Sequence, residues 1–464
     1  MRFCPQFSNI IFSKPYIMHN NMFKRFFILI CAVCSFIGTQ AQSAADAVVA
    51  NALNGGNPFK LLRAYEASRD SLSPMIGCFA KAMIANDFNN PAEACEAIDS
   101  LVENHQDEIG LGNTMTMIYL KAANMAKEGR YAEASQVLAN VVDKLSPHVD
   151  KSSLSRFSEK AAEYAELAKF PIVNGIDIPS SGTSISIPFY LDTIQANGKT
   201  AVRMFIDATI NGQSLRVLFD TGAGANVISE AAAKRLNLRL LGTEGTMRGV
   251  GNAKGRKAIA ERLQLGGLEM RNVPFIVADI RSGVDSIDNR NFKSLDAVIG
   301  VEVINAAKEM RLDFKNKHIV IPTCPSPIEK ADKHNLAISR MGLFQIEAAI
   351  NGVKYPTGLD TGASASVLNG AYFKENEKWI TANCKEDSVR EAGVGGIRMS
   401  KAYRMENVPV AVGQYTHVFP HLLVATTEDE NMSDLRFANL GIDFFLPTGE
   451  VLINTKDMFV RIAP

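Results

Sequence analysis

From residue 42 to about residue 170, apolar and alanine-rich positions recur at three- and four-residue spacing. Gly and Pro are rare inside these segments, so the pattern predicts helices throughout. Two stretches resemble each other: Pro91-Ala92-Glu93-Ala94 ahead of Ile98 and Leu101, and Tyr131-Ala132-Glu133-Ala134 ahead of Val137 and Val141. Their shared Ala-Glu-Ala recurs after 40 residues (132 − 92), where small residues let paired helices approach closely. A plain helical bundle used as a spacer or pro-region fits the same pattern. The texture changes near residue 171. Pro171, Pro179, Ser180, Ser181 and Gly182 mark a linker over 171–182, and short β-branched and aromatic runs broken by Gly and Asn follow it.

This second region contains an internal duplication. Ile210-Asn211-Gly212 reads as a hairpin turn and is followed by Asp220-Thr221-Gly222-Ala223. Ile350-Asn351-Gly352 and Asp360-Thr361-Gly362-Ala363 repeat both features 140 residues later (360 − 220). Further markers align in order: Gly249-Val250-Gly251 with Gly393-Val394-Gly395, Asn272-Val273-Pro274 with Asn407-Val408-Pro409, and Ala297-Val298-Ile299-Gly300 with Ala438-Asn439-Leu440-Gly441. Each copy closes on a strand-like run, Ile319 to Ile321 and Val451 to Ile453. The expected halves span 183–322 and 336–464, joined by a proline-containing connector at 323–335.

In both copies an extended segment (Val217-Leu218-Phe219; Thr357-Gly358-Leu359) delivers an Asp, then Thr, then Gly. The acid sits where a strand turns, the Gly permits a tight backbone, and the Thr hydroxyl can bond the partner loop or nearby backbone. If the halves face each other, Asp220 and Asp360 meet. Two carboxyls in contact cannot both ionise cheaply and share one proton. Such a pair suits amide hydrolysis, with the charged member activating a water and the protonated one binding the scissile carbonyl. No metal or cofactor is required.

The duplicated motif, each copy followed by an apolar-apolar-Gly segment or its near match, resembles the retropepsin-like branch of the aspartic peptidases over roughly residues 183 to 464. The resemblance implies catalytic roles for Asp220 and Asp360 and supporting roles in interlocked loops for Thr221, Gly222, Thr361 and Gly362. It implies loop packing at Gly300 and Gly441. Gly249, Val250 and Gly251, with Gly393, Val394, Gly395 and Gly396, stand where the family carries flaps that close over an extended peptide. Asn439 departs from the pattern, being polar where the family has an apolar residue. The helical part, 42–170, resembles tetratricopeptide-type hairpins. The implied fold is an all-α helical-hairpin domain followed by an all-β bilobal aspartic-peptidase domain.

Composition and charge narrow the setting. The 464 residues carry a formal net charge of zero, so no overall basic field argues for nucleic acid. Lys24 and Arg25 precede an apolar run from Phe26 to Ile37, and Gly38 to Ala41 supply small residues, which reads as an export signal over 1–41. That run is too short for a stable membrane span. Cys4, Cys31 and Cys34 lie in this leader. Cys78, Cys95, Cys324 and Cys384 remain, too few for a disulfide scaffold and spaced unlike zinc ligands. His417 and His421 read as surface loop histidines because Pro420 breaks the helix a metal site would use. Glu302 and Asp443, two residues after their glycines, read as caps of short helices.

The expectation is an exported, periplasmic or extracellular aspartic endopeptidase. Its partners are an extended peptide or protein substrate and, through the helical domain, a further protein. The alternative is a noncatalytic peptide-binding or scaffolding protein on the same fold.

Overall fold

The computed structural model describes residues 43–170, 184–196, 199–248, 252–278, 295–329, 333–339, 341–393, 396–427 and 435–463. The leader over 1–41, the linker over 171–182 and the flap residues Gly249, Val250, Gly251, Val394 and Gly395 lie outside the described residues.

Six helices fill residues 44–167, as the apolar spacing predicts: α1 (Ala44–Gly55), α2 (Pro58–Ser68), α3 (Pro74–Asp87), α4 (Pro91–Lys127), α5 (Tyr131–Leu145) and α6 (Lys151–Leu167). Local chemistry starts three of them, and at α1 the Ser43 hydroxyl accepts from the Asp46 amide. The Asn57 side chain accepts from the Phe59 and Lys60 amides and Asn90 from the Glu93 amide, each with a proline at the first helical position. Gly110, at φ +73°, breaks the helical path inside α4. The two Ala-Glu-Ala stretches open α4 and α5, where Ala94 and Ala134 are fully buried. No helix among the described residues is long and apolar enough to cross a membrane.

The rest is built on strands. In chain order these are β1 (Ser184–Ala196), β2 (Lys199–Ile210), β3 (Gln213–Phe219), β4 (Val227–Ile228), β5 (Arg239–Arg248), β6 (Asn252–Leu265), β7 (Leu268–Val277), β8 (Ala297–Ile299), β9 (Glu309–Asp313) and β10 (His318–Pro322). They continue as β11 (Leu336–Ile338), β12 (Phe344–Ile350), β13 (Val353–Leu359), β14 (Val367–Leu368), β15 (Lys385–Gly393), β16 (Gly396–Val412), β17 (Tyr415–Ala425), β18 (Ala438–Leu440), β19 (Glu450–Asn454) and β20 (Phe459–Ala463). Short helices α7 (Glu230–Arg235), α8 (Val301–Ala307), α9 (Gly370–Asn383) and α10 (Ile442–Phe445) lie between strands.

Strand pairings recur between the two stretches. β3 runs parallel to β8 with Leu218 beside Val298, and β13 runs parallel to β18 with Gly358 beside Asn439. β4 lies antiparallel to β8 and parallel to β7, and β14 repeats this with β18 and β17. The turns between β2 and β3 and between β12 and β13 are both Asn-Gly with positive φ (+48° and +81°; +50° and +81°), the geometry this pair of residues favours in tight hairpins. One twelve-stranded sheet includes β19 and β20, because β19 pairs with β9 from the earlier stretch. A single apolar core runs through both stretches, from Ile187 and Phe219 to Phe344 and Phe445.

Two correspondences read from the sequence change. Asn272-Val273-Pro274 lies on β7, after its hairpin turn, whereas Asn407-Val408-Pro409 lies on β16, before the equivalent turn. Both Asn residues sit at φ +52°, at a point where the strand pairing is interrupted for one residue and resumes in the same register, so shared local geometry rather than equivalent position explains the likeness. Val451 to Ile453 forms β19, which follows α10 as β9 follows α8; the counterpart of β10 is β20. His417 and His421 are also corrected: they lie within β17 rather than in a loop, and the His417 ring meets Phe419 edge-on at 4.6 Å.

The helical region docks on both stretches. Leu241 of β5 and Ile259 of β6 join a cluster with Phe157 and Tyr164 of α6. Glu163 of α6 pairs with Lys257 of β6, and the Arg239 guanidinium lies 4.9 Å from the Phe170 ring. On the other side Arg63 meets Glu347 at 2.7 Å, and Asn89 Nδ2 donates to the Thr455 carbonyl at 3.0 Å.

Candidate active site

β3 and β13 each deliver an acid to the point where the chain leaves its strand. The Asp220 amide donates to the Ile299 carbonyl and the Asp360 amide to the Leu440 carbonyl, both at 3.0 Å. These bonds extend the parallel pairing by one residue. The turn then closes as the Ala223 and Ala363 amides donate to the Asp220 and Asp360 carbonyls, each at 3.3 Å.

Gly300 and Gly441 lie under these turns. A Cβ on Gly300 would sit 2.4 Å from the Ala223 carbonyl oxygen, and one on Gly441 would sit 2.7 Å from the Ala365 carbonyl carbon. No side chain fits there. The next amides, Val301 and Ile442, donate to the Ala223 and Ala363 carbonyls at 2.9 and 2.8 Å.

The loops are joined by a reciprocal threonine lock. The Thr221 amide donates to Thr361 Oγ1 at 3.1 Å, and the Thr361 amide donates to Thr221 Oγ1 at 2.9 Å. Each hydroxyl in turn donates across the junction, Thr221 to the Leu359 carbonyl at 2.9 Å and Thr361 to the Phe219 carbonyl at 3.0 Å. Both threonines are fully buried. The four bonds therefore run without competition from water.

This lock brings the acids together. A Cβ on Gly222 would stand 2.4 Å from Asp360 Cγ, and a Cβ on Gly362 would stand 2.3 Å from Asp220 Cγ. Each glycine thus gives its space to the opposite carboxyl. The Gly222 amide donates to Asp220 Oδ1 at 2.8 Å; the Gly362 and Ala363 amides donate to Asp360 Oδ1 at 3.0 and 2.8 Å. Burial and the adjacent Asp360 charge push the Asp220 carboxyl well above the usual carboxylate range, and the two carboxyls are within hydrogen-bonding reach. Such a pair holds one proton between two acids, and one member is left free to take a proton from water.

Other residues of the site carry no motif. Under the first loop the Asn226 amide nitrogen Nδ2 donates to Glu302 Oε2 at 3.0 Å, and the Gly300 backbone donates to Asn226 Oδ1 at 3.0 Å. Under the second, Ser366 Oγ donates to Asp443 Oδ1 at 2.6 Å and accepts from the Gly441 amide at 2.9 Å. Glu302 and Asp443 do lie in the first turns of α8 and α10, yet they also receive the Asn226 and Ser366 backbone amides. Their separation of two residues from Gly300 and Gly441 was the one available sequence signal. Asn439 Nδ2 donates to Asp360 Oδ2 at 2.6 Å, and Ser364 Oγ donates to the Val202 carbonyl of β2 at 3.0 Å. Arg203, the next residue on β2, lies close enough for its charge to act on Asp220.

Of the flap residues, Gly393 and Gly396 pair with each other at the end of the β15–β16 hairpin. Among the described residues no group of three or more His, Cys, Asp or Glu side chains is placed to hold a metal ion.

No curated protein matches the chain in sequence. Among solved structures, conglutin gamma, a basic 7S globulin from lupine seeds, is similar over 61% of this chain and 95% of its own, at 10% identity and a TM-score of 0.38. Residues 206–303, which include the first Asp-Thr-Gly loop, match the family model described as aspartyl protease.

Proposed function

We propose that the chain is an exported aspartic endopeptidase that hydrolyses peptide bonds with a water activated between Asp220 and Asp360. The observation that carries this reading is the pair of glycine contacts across the junction: Gly222 lies against the Asp360 carboxyl and Gly362 against the Asp220 carboxyl. In this reading residues 183–322 and 336–464 are two fused halves of one bilobal enzyme, each contributing one loop. The aspartyl protease match over 206–303 supports the chemistry for the first loop, and the recurring strand pairings support extending it to the second.

The charged carboxyl takes a proton from the water as its oxygen attacks the scissile carbonyl carbon. The protonated carboxyl gives its hydrogen bond to the carbonyl oxygen, which becomes the second hydroxyl of a tetrahedral diol. Collapse of the diol breaks the C–N bond, and a proton passes to the leaving nitrogen. The strands leading to the two hairpin tips, β5 with β6 and β15 with β16, lie where flaps would close on an extended peptide and pair with its backbone. The helical domain over 42–170, read as tetratricopeptide-like hairpins, would hold the first flap through Leu241 and Ile259 and present a surface to a protein partner. Export rests on the charged and apolar leader over 1–41.

The test is cleavage of an unfolded protein from acidic to neutral pH by wild type, Asp220→Asn and Asp360→Asn. Each variant is expected to lose on the order of 10²- to 10⁴-fold in rate. Equal cleavage by all three sinks the dyad. Peptide binding without cleavage under every condition establishes the noncatalytic scaffold instead.

A further inference from the structure

Of the differences between the two loops, the one nearest the acids is a pair of facing positions on the strands that carry them. Where β3 and β8 place Leu218 beside Val298, β13 and β18 place Gly358 beside Asn439. The two exchanges depend on each other. A Cβ on Gly358 would stand 2.2 Å from Asn439 Oδ1 and 3.0 Å from Arg436 Nη1, so Gly358 clears the space that the amide and the guanidinium use. The amide is then aimed at the dyad, with Nδ2 at 2.6 Å from Asp360 Oδ2.

This is a costly way to fill a core position. Among the described residues the buried Asn439 Oδ1 has no hydrogen-bond partner, and an unsatisfied carbonyl of that kind destabilises the fold. A valine, as at position 298, would avoid that cost. What the asparagine adds is a donor, and a donor has one effect on a carboxyl: it favours the ionised form. With Asp360 ionised this amide orientation is the favourable one, since the reverse would turn the carbonyl oxygen toward the carboxylate.

Resting on the dyad reading above, we propose that Asn439 is a positioning residue that keeps the negative charge on Asp360 and leaves the shared proton on Asp220. The donor inventory supports this division. Each carboxyl receives two backbone amides, Gly222 and Ala223 at Asp220 and Gly362 and Ala363 at Asp360, and Asp360 alone of the two receives a third donor among the described residues, from Asn439 at 2.6 Å. The charged groups facing the pair are few. Arg436, almost fully buried, approaches from the Asp360 side beside Gly358, and Arg203 of β2 acts on Asp220 as a charge. Arg203 therefore opposes the assignment and Arg436 favours it, while the direct bond to Asp360 belongs to Asn439. In catalytic terms Asp360 becomes the base that deprotonates water, and Asp220 the acid that faces the scissile carbonyl.

The test has two independent readouts on the full chain. The first is a pH titration of ¹³C-carboxyl-labelled aspartate by NMR, with resonances assigned from Asp220→Asn and Asp360→Asn. The first proton lost from the pair is expected to leave Asp360; loss from Asp220 first overturns the proposal. The second is the pH profile of kcat/KM in Asn439→Val and Asn439→Ser, both of which lack a donor able to reach Asp360. The acidic limb is expected to move up by about one to two pH units, the size set by one hydrogen bond to a charged group. Folded variants with an unmoved limb overturn it. A wild type that cleaves nothing overturns the peptidase reading instead, and the NMR titration still decides which acid carries the charge.

Discussion

Replacing Thr221 by valine tests the lock between the loops. Valine matches threonine in shape, so the change removes a hydroxyl and little else. That hydroxyl accepts the Thr361 amide at 2.9 Å and donates to the Leu359 carbonyl at 2.9 Å, in a site with no solvent exposure. Two buried backbone groups lose their partners. At about 1–3 kcal/mol for each orphaned group the cost is about 2–6 kcal/mol, and burying a methyl in place of the hydroxyl returns about 1 kcal/mol. A net loss of about 3 kcal/mol lowers Tm by about 3 °C in a chain of 464 residues, whose unfolding entropy is about 1 kcal/mol/K. Thr221→Ser keeps both bonds and loses one methyl, so it costs only about 1 kcal/mol. Urea and thermal unfolding of both variants measure the difference. The double variant Thr221→Val with Thr361→Val adds a coupling term of about 0.5–3 kcal/mol, because both hydroxyls belong to one network. If Thr221→Val proves as stable as Thr221→Ser, the hydroxyl is not holding the loops and the lock is refuted.

Gly222→Ala should eliminate activity while leaving a folded chain, since its Cβ would lie 2.4 Å from Asp360 Cγ; unaltered cleavage rates would show that the acids do not approach. Asp220→Asn should change the pH dependence of stability. The folded state holds the Asp220 proton more tightly than the unfolded chain does, so that stabilisation is complete in acid, below the unfolded carboxyl range, and disappears as pH rises through the folded value. The asparagine variant escapes this loss, so its Tm should exceed that of wild type increasingly toward neutral pH; parallel Tm curves contradict it. Glu163→Gln leaves Lys160 and Lys257 without the carboxylate they share at the helical docking surface, at a cost of about 3 kcal/mol seen in urea unfolding. Limited proteolysis should then cut the β5–β6 hairpin faster; an unchanged cutting rate would dissociate the helical region from the flap.

What was legible in the sequence was local. The Asn-Gly turns at 211–212 and 351–352 announce themselves because both residues tolerate positive φ, and the structure uses both that way. The Asp-Thr-Gly loops were readable because a strand end, an acid and a glycine are neighbours in the chain. Contacts between distant residues were not. Asn226 meets Glu302 and Ser366 meets Asp443 more than 70 residues apart, and nothing near Asn226 or Ser366 marks either as a partner. The pairing of β19 with β9 likewise depends on how two stretches of chain stack, which alternating apolar residues leave open. The Asn-Val-Pro repeat misled for a related reason. A left-handed asparagine at a one-residue gap in strand pairing is a local feature that occurs here on different strands of the two hairpins.

Carrying both loops on one chain has a consequence for chemistry. Two identical subunits about an exact twofold axis must present identical acids, and the shared proton has no preferred owner until substrate arrives. Here the facing positions differ: Leu218 with Val298 on one side, Gly358 with Asn439 on the other. Ser364 reaches across to Val202, while its counterpart Gly224 has no side chain and lies against Leu343 and Met341. The helical region adds a further inequality by packing Phe157 and Tyr164 against Leu241 and Ile259 of the β5–β6 hairpin. On the proposed reading, the Gly358–Asn439 exchange biases which carboxyl is base, and the helical packing holds one hairpin by its base strands. A peptide entering such a site meets a direction already built into it, and its amide would be presented with the carbonyl toward Asp220.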